Sequence, residues 1–172
     1  MSDKLKSGSM VLTGNKAAAY GFALAGLDVF GGYPITPSTE ITEEMASLAS
    51  RGLISATYRN TDSELASMAL GIGVSTAGGR YGTATSSQGL ALMFELLHWA
   101  PTAQLPLVIA NTNRSLGAPW SIHPDQTDSL LMRDLFMPQI YSASVQEALD
   151  MVLWAYRLSE DPDVSLPVLV CL

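Results

Sequence analysis

The sequence predicts an α/β domain built on a doubly wound, mostly parallel sheet with helices on both faces. Two observations carry this prediction. Short apolar or β-branched runs alternate along the chain with helical segments, which is typical of successive strand–helix units. The clearest strand, over residues 106–111, is a continuous apolar run of the kind found in buried parallel sheets. We expect a single folding unit over residues 12–172.

The first helix and strand follow from simple local signals. Residues 1–11 have no periodic pattern and are expected to form a flexible N-terminal arm. Thr13 or Asn15 is predicted to cap a helix that ends at Gly26. An apolar strand over residues 28–32 follows.

Two prolines interrupt the chain after this strand. Pro34 and Pro37 exclude regular strand pairing and a helix interior, so the chain must turn between them. Thr36 is predicted to be the N-cap of a second helix, with Pro37 at its first position and an end near Ser50. Thr36 would then lie at the carboxyl end of a strand, where ligands bind in open α/β sheets.

The later segments repeat the alternation of strand and helix. Strands are predicted at residues 54–58, 81–84, 106–111, 137–142 and 166–172, and helices at 65–74, from the 85–89 turn to about 99, and from a capping box at 144–147 to about 159. The irregular segment 112–127 is long enough to suggest a functional loop. Within it, Trp120 and His123 are expected either to line a pocket or to face a partner. Asp125, and Asp128 just after the segment, are expected to order the loop or to cap a helix.

Composition excludes several classes of function. The net charge is −7 and the nine Lys and Arg residues are scattered, which argues against nucleic-acid binding. Cys171 is the only cysteine, so neither a disulfide framework nor a set of iron–sulfur ligands is available. A signal peptide and a membrane-spanning stretch are not recognisable, and we expect a cytoplasmic protein.

Common catalytic and nucleotide-binding motifs are missing. The sequence has no G-x-G-x-x-G after a strand, no phosphate-binding P-loop and no G-x-S-x-G nucleophile turn. His98 and His123 lie 25 positions apart without a cysteine pair, so no metal site is predicted.

Three polar residues at predicted strand ends are the candidates for chemistry. Thr36 follows the first strand, Glu64 opens the third helix, and Arg114 follows the most apolar strand. A glutamate in the first turn of a helix also interacts favourably with the helix dipole, so the local pattern alone does not assign Glu64 to catalysis. Because parallel strands end at one edge of the sheet, the three side chains are expected to converge on one crevice.

Six blocks of sequence resemble one enzyme family. They are Tyr-Pro-Ile-Thr-Pro-Ser at 33–38, Thr-Asp-Ser-Glu at 61–64, residues 83–90, residues 105–108 with Asn-Arg at 113–114, Asp-Gln-Thr-Asp at 125–128, and residues 145–148. In this order and spacing they resemble the N-terminal domain of 2-oxoacid:ferredoxin oxidoreductases, most closely the α subunit of the pyruvate enzyme, pyruvate synthase. The resemblance runs from about residue 12 to residue 172.

The resemblance implies a thiamine diphosphate-binding fold of the pyrimidine-binding type. The enzyme would oxidatively decarboxylate a 2-oxoacid, pyruvate in the closest members, to acyl-CoA and CO2. Glu64 matches the glutamate that bonds the pyrimidine N1′ atom, and Arg114 the arginine that holds the substrate carboxylate. Thr36 matches a threonine that contacts the substrate or the reactive centre. Pro34, Ser87 and Gln88 are expected to contribute to the cofactor site.

The resemblance also implies partners. The family binds the diphosphate through Mg²⁺ in a separate β subunit or domain with a Gly-Asp-Gly motif, and this chain has no such motif. The [4Fe–4S] clusters would belong to a ferredoxin-like iron–sulfur subunit, and the whole complex would use ferredoxin and coenzyme A. We therefore expect a part of a larger subunit or assembly, inactive when isolated.

Alternatives remain at this stage. The chain could be a non-catalytic assembly module of the same complex, or belong to a 2-oxoglutarate or branched-chain 2-oxoacid enzyme. A different thiamine enzyme class is a weaker option, because the block at 33–38 argues against it. The joint presence of Thr36, Glu64 and Arg114 favours catalysis, since a scaffold needs none of them.

Overall fold

The computed structural model describes residues 5, 8–117 and 121–172, and confirms the predicted α/β architecture. All six strands in this part of the chain run parallel, in the order β2-β1-β3-β4-β6-β5. The strands are β1 (Val29–Gly32), β2 (Thr57–Asn60), β3 (Tyr81–Thr85), β4 (Val108–Asn111), β5 (Gln139–Tyr141) and β6 (Val168–Cys171). The helices are α1 (Gly14–Ala25), α2 (Thr39–Ser50), α3 (Glu64–Thr76), α4 (Ser87–Leu92), α5 (Phe94–Thr102), α6 (Thr127–Leu131) and α7 (Val145–Ser159).

Helices cover both faces of the sheet. One face packs α1, α2 and α7 against the strands around Phe22, Phe30 and Val152. The other face packs the remaining helices around Met68, Leu97 and residues of the same strands. Alternate residues of β4 and β6 belong to the two core clusters, which explains why these strands are apolar without a polar interval.

Local capping signals are confirmed at two helices. The Thr13 hydroxyl accepts a hydrogen bond from the Lys16 amide (3.2 Å), and Gly26 ends α1 in the left-handed conformation (φ 68°). At α7, the Ser144 hydroxyl accepts from the Glu147 amide (3.2 Å), and the Glu147 carboxylate accepts from the Ala143 amide (2.8 Å). The serine half of the predicted capping box is therefore confirmed, whereas Glu147 bonds the amide one residue before the cap instead of that of Ser144.

The prediction that Thr36 caps the second helix is wrong. Thr36 and Pro37 lie in a turn with a cis peptide bond between them, and α2 starts at Thr39. Their carbonyl groups accept side-chain hydrogen bonds, Thr36 from Arg114 (2.6 Å) and Pro37 from Asn15 (2.9 Å). In a helix starting at Pro37, these two carbonyl groups would accept hydrogen bonds from backbone amides one turn later. Here the side chains of Arg114 and Asn15 bond them instead.

The predicted fourth helix is broken into α4 and α5 at Met93. The Met93 amide bonds both the Gly89 and the Leu90 carbonyl (3.2 Å each), a tight turn that ends α4. The Met93 side chain is fully buried in the second core cluster. No glycine or proline marks the break, so packing rather than local propensity explains it.

The start of one strand and the presence of one short helix also differ from the prediction. β2 begins at Thr57 instead of residue 54, because it pairs only with β1 and its register runs from Val29–Thr57 to Gly32–Asn60. The short helix α6 was not predicted, since buried hydrogen bonds rather than an apolar period organise it.

The flexible arm over residues 1–11 stays a prediction; Leu5 packs beside the first core cluster, while Met10 and Val11 are exposed. Over the described ranges, no helix has the length and apolar character needed to cross a membrane.

Candidate active site

Four neighbouring strands deliver the predicted site residues to one edge of the sheet. Thr36 follows β1, Glu64 follows β2, Ser87 follows β3 and Arg114 follows β4. The strand order reverses around β1, because the chain passes from β1 to β2 on one side and then to β3 on the other. Such a reversal opens a crevice at the carboxyl ends of the strands.

Arg114 connects two of these loops. Its Nη1 donates to the Thr36 carbonyl (2.6 Å) and its Nη2 donates to Gln88 Oε1 (2.6 Å). A guanidinium group carries five N–H bonds, so three remain for another acceptor. No carboxylate of the described residues forms an ion pair with Arg114. The side chain is thus a held cation with donors left over, which suits a planar anion.

Ser87 is held beside Arg114 in an unusual conformation. It is fully buried, and its φ of 47° lies in the left-handed region that costs a non-glycine residue about 1–3 kcal/mol. The Ser87 amide donates to Asp128 Oδ2 (3.0 Å), and its hydroxyl lies 2.6 Å from the Ser115 carbonyl and 2.5 Å from Gln88 Oε1. The strained residue therefore ties the start of α4 to the loop that carries Arg114.

Glu64 is a buried acid with no hydrogen-bond partner among the residues that the structure describes. The residue is only 6% exposed, and within residues 5, 8–117 and 121–172 no group donates a hydrogen bond to its carboxylate. A buried carboxylate normally has hydrogen-bond donors, so its oxygens are available to a ligand. The rest of α3 is firmly placed, because the Ser67 hydroxyl bonds both Tyr81 Oη (2.7 Å) and Thr83 Oγ1 (2.9 Å).

Gly89 brings Glu64 close to the Arg114 cluster. A Cβ atom at position 89 would lie 2.5 Å from Glu64 Oε1 and 2.4 Å from Thr85 Oγ1, so only glycine leaves this space open. Gly89 follows Gln88 directly on α4. Glu64 and Arg114 therefore lie next to neighbouring residues of the same short helix, Glu64 beside Gly89 and Arg114 on Gln88.

The predicted site residues thus fall into three groups. Thr36, Ser87, Gln88 and Arg114 form one hydrogen-bonded cluster. Glu64 adjoins that cluster across Gly89. Pro34 is exposed in the loop that leads to Thr36, and no hydrogen bond in the described part of the chain links it to the others.

The sequence did not indicate several buried polar atoms at this edge. Thr85 Oγ1, Ser86 Oγ, Asn111 Oδ1 and Ser115 Oγ have no hydrogen-bond partner among the described residues. Buried polar atoms of this kind are rare in native proteins and mark places where water or a ligand binds. Strand-end Thr, Ser and Asn residues were the only signal in the sequence.

Asp128 is confirmed as a loop-ordering residue. It is fully buried at the start of α6, and its carboxylate accepts from the amide of Arg114 (3.1 Å) and from the side-chain amides of Asn111 (3.0 Å) and Asn113 (2.7 Å). Asp125 is partly exposed, and hydrogen bonds from the hydroxyl and amide of Thr127 lower the pKa of its carboxyl.

Other groups near this edge offer little chemistry. Trp120 lies outside the described residues, and His123 is exposed, with its amide donating to Ser121 Oγ (3.3 Å). Burial raises the pKa of the Cys171 thiol to about 12, so it is protonated at neutral pH. Among the described residues, no group of three His, Cys, Asp or Glu side chains is arranged to hold a metal ion.

Comparisons with known proteins identify the family and agree with the fold. Residues 20–172 match the family described as pyruvate flavodoxin/ferredoxin oxidoreductase, thiamine diP-bdg. Pyruvate synthase subunit PorA of Methanothermobacter thermautotrophicus is 49% identical over 94% of the chain. Ketoisovalerate oxidoreductase subunit VorA of Pyrococcus horikoshii is 46% identical over 93% of the chain.

The chain spans 40–42% of the length of these two relatives. A solved structure, a 2-oxoglutarate:ferredoxin oxidoreductase from Magnetococcus marinus with 2-oxoglutarate, coenzyme A and succinyl-CoA bound, superimposes with a TM-score of 0.83 at 29% identity. That match covers 94% of this chain and 29% of the solved one. The family match covers both Glu64 and Arg114, and the chain belongs to the thiamine diphosphate-binding domain family of pyruvate flavodoxin/ferredoxin oxidoreductases.

Proposed function

We propose that this chain forms the pyrimidine-binding half of the active centre of a 2-oxoacid:ferredoxin oxidoreductase. The complete enzyme oxidatively decarboxylates a 2-oxoacid, in first place pyruvate, to acyl-CoA and CO2 in the cytoplasm. One observation carries the proposal: Glu64, a buried acid with no hydrogen-bond partner among the described residues, lies beside Gly89, and the preceding residue, Gln88, accepts from Arg114, a cation with unused N–H groups. A non-catalytic assembly module would gain nothing from keeping either group in this state.

The residues at this edge fit thiamine diphosphate. When bound, this cofactor would supply a nucleophilic carbon for the carbonyl group of a 2-oxoacid and a sink for the electrons left by the loss of CO2. The aminopyrimidine ring presents a nitrogen that pairs with a carboxyl group, and Glu64 has no other partner among the described residues. The missing side chain at Gly89 leaves room for the Glu64 carboxyl group, and the unpartnered Thr85 and Ser86 hydroxyls beside it are consistent with a polar ligand.

Glu64 is the residue we assign to cofactor activation. A carboxyl group shares a proton with the pyrimidine N1′ atom and thereby changes the proton held at the exocyclic nitrogen of the ring. The residue is largely buried, so the carboxyl group is held away from bulk water. Pro34, Ser87 and Gln88 are assigned to the walls around the cofactor.

Arg114 and Thr36 are assigned to the substrate. The guanidinium group of Arg114 binds the carboxylate of the 2-oxoacid with the N–H groups that Thr36 and Gln88 leave free. The side chain of Thr36 is exposed beside this group and can contact the substrate. Binding of the carboxylate at a fixed cation orients the carbonyl carbon toward the cofactor.

The opposite half of the site is assigned to partners. The diphosphate and its Mg²⁺ require a second subunit or domain, because this sequence has no Gly-Asp-Gly motif. The [4Fe–4S] clusters that pass electrons to ferredoxin require a ferredoxin-like iron–sulfur subunit, because Cys171 is the only cysteine here. Coenzyme A would accept the acyl group in the assembled complex.

Reconstitution tests the proposed function. The subunit that contains this chain is combined with diphosphate-binding and iron–sulfur partner subunits, and 2-oxoacid-dependent acyl-CoA formation is measured with ferredoxin as acceptor. We expect activity in the complex and none with this chain alone. Rates with pyruvate, 2-oxoisovalerate and 2-oxoglutarate, the acids suggested by the names of the relatives and of the solved structure, identify the substrate. No turnover of any 2-oxoacid would contradict the proposal.

A methyl group at position 89 is expected to displace Glu64. Gly89→Ala places a carbon 2.5 Å from Glu64 Oε1 and 2.4 Å from Thr85 Oγ1, and overpacking of this kind costs about 1–3 kcal/mol. We expect kcat of the assembled complex to fall by about tenfold or more, since the carboxylate leaves its place. Gly73→Ala is the matched control, because a Cβ at position 73 of α3 meets no atom within 4 Å. Equal activity of the two variants would show that Glu64 does not need its observed position.

A further inference from the structure

We infer that Asp128 is a positioning residue that sets Arg114 and Ser87 for substrate binding, an inference that rests on the proposed function. The Asp128 side chain touches neither the Arg114 guanidinium nor the Ser87 hydroxyl through any hydrogen bond of the described structure. It acts on both residues through their backbone amides. This distinguishes it from a residue that contacts the substrate.

The carboxylate of Asp128 is the centre of five hydrogen bonds. Its Oδ2 accepts from the amides of Ser87 (3.0 Å) and Arg114 (3.1 Å) and from Asn111 Nδ2 (3.0 Å). Its Oδ1 accepts from Asn113 Nδ2 (2.7 Å) and from the Ser129 amide (2.8 Å). One buried side chain therefore joins the start of α4, the end of β4 and the first turn of α6.

These bonds fix the backbone positions of the two residues assigned to the site, Arg114 and Ser87. The Arg114 amide is held at Asp128, so the guanidinium group reaches Thr36 and Gln88 from a fixed backbone position. The Ser87 amide is held at the same oxygen in a left-handed conformation that a residue with a Cβ rarely adopts. Without this acceptor, the two loops would lose the backbone contact they share, and only side-chain contacts, Ser87 to Ser115 and Arg114 to Gln88, would still join them.

Only a carboxylate satisfies the five partners. All five are donors, and an ionised aspartate accepts at both oxygens. An asparagine at position 128 would direct its NH₂ group against donors whichever way the amide turned. No described Lys or Arg side chain forms an ion pair with Asp128, so Arg114 keeps its free N–H groups for a ligand.

Two further hydrogen bonds hold Ser129 and Asn113, the partners of Asp128, in place. Asn113 Nδ2 also donates to Ser129 Oγ (2.8 Å), and Tyr141 Oη donates to the same hydroxyl (2.9 Å). Tyr141 ends β5 at the far edge of the sheet. The position of Arg114 is thus coupled to the sheet beyond β4.

The test uses Asp128→Asn in the complete subunit, assembled with its partner subunits. We expect KM for the 2-oxoacid to rise about tenfold or more, with a smaller change in kcat, because a network of charge-assisted hydrogen bonds is broken next to the substrate cation. Asp125→Asn is the matched control: it removes the same charge three residues earlier, at a partly exposed position outside the buried network. A lower melting temperature with unchanged KM would overturn the inference, since a purely structural role predicts that result.

A double variant separates positioning from folding. Asp128→Asn combined with Asn113→Asp lets the NH₂ group at position 128 face an acceptor at position 113 while its oxygen turns toward Ser87 and Arg114. Only the Ser129 amide still opposes the NH₂ group, so we expect the exchange to recover part of the lost substrate affinity. A KM as high as that of the single variant, in a double variant that folds, would overturn the inference.

Hydrogen exchange supplies a readout that does not depend on catalysis. The amides of Ser87 and Arg114 are expected to exchange faster in Asp128→Asn than in the wild type or in Asp125→Asn. Unchanged protection of both amides would overturn the inference. If the wild-type complex oxidised no 2-oxoacid, the proposed function would fail, and the exchange rates would still decide whether Asp128 holds Arg114 and Ser87.

Discussion

Glu64→Gln is expected to lower kcat of the assembled oxidoreductase by about 10²–10⁴-fold, the range typical of losing a general acid–base group. Glutamine has nearly the same shape and preserves the packing against Gly89. It cannot release a proton to a ring nitrogen or take one from it, so only the proton exchange is lost. The measurement is the steady-state rate of acyl-CoA formation at saturating 2-oxoacid and thiamine diphosphate.

Glu95→Gln is the matched control for this prediction. Glu95 is an exposed residue in the first turn of α5, so the same change there should leave kcat unaltered. Thermal unfolding of both variants checks that Glu64→Gln leaves the fold intact. A wild-type kcat in Glu64→Gln would refute the assignment of this residue to cofactor activation.

Arg114→Ala is expected to raise KM for the 2-oxoacid by about 10–100-fold, with a smaller loss in kcat. The variant removes the only charge we assign to the substrate carboxylate, and hydrogen bonds to charged groups contribute about 1.5–3 kcal/mol each. It also frees the Thr36 carbonyl and Gln88 Oε1 from their donor. The measurement is the dependence of the initial rate on the concentration of the 2-oxoacid.

Two further variants sharpen the result for Arg114. Arg114→Lys retains the charge but loses the planar fork, so its KM should lie between those of the wild type and Arg114→Ala. Arg133→Ala removes an exposed arginine whose ion pair with Asp134 spans 3.5 Å, and its KM should equal the wild-type value. If Arg114→Ala bound the substrate as tightly as Arg133→Ala, another group would have to hold the carboxylate.

Local patterns predicted the elements that depend on local causes. Thr13, Gly26 and Ser144 were identified because a cap needs only a few neighbouring residues to act. The apolar run of β4 was recognised because a strand with helices on both faces must be apolar throughout. The break at Met93, the late start of α2 and the helix α6 were missed because distant packing and hydrogen bonds produce them.

The candidate site likewise combines features predicted from the local sequence with contacts that depend on distant residues. The sequence by itself determined the family and the parallel α/β fold, and it predicted Thr36, Glu64 and Arg114 as candidates for the site, because residue type and order at strand ends are written in the chain. Only the tertiary structure decided that the Thr36 carbonyl holds Arg114, that Gly89 opens the space beside Glu64 and that Asp128 collects five donors. These contacts join residues from different strand ends, and the sheet, not the local sequence, brings them within bonding distance.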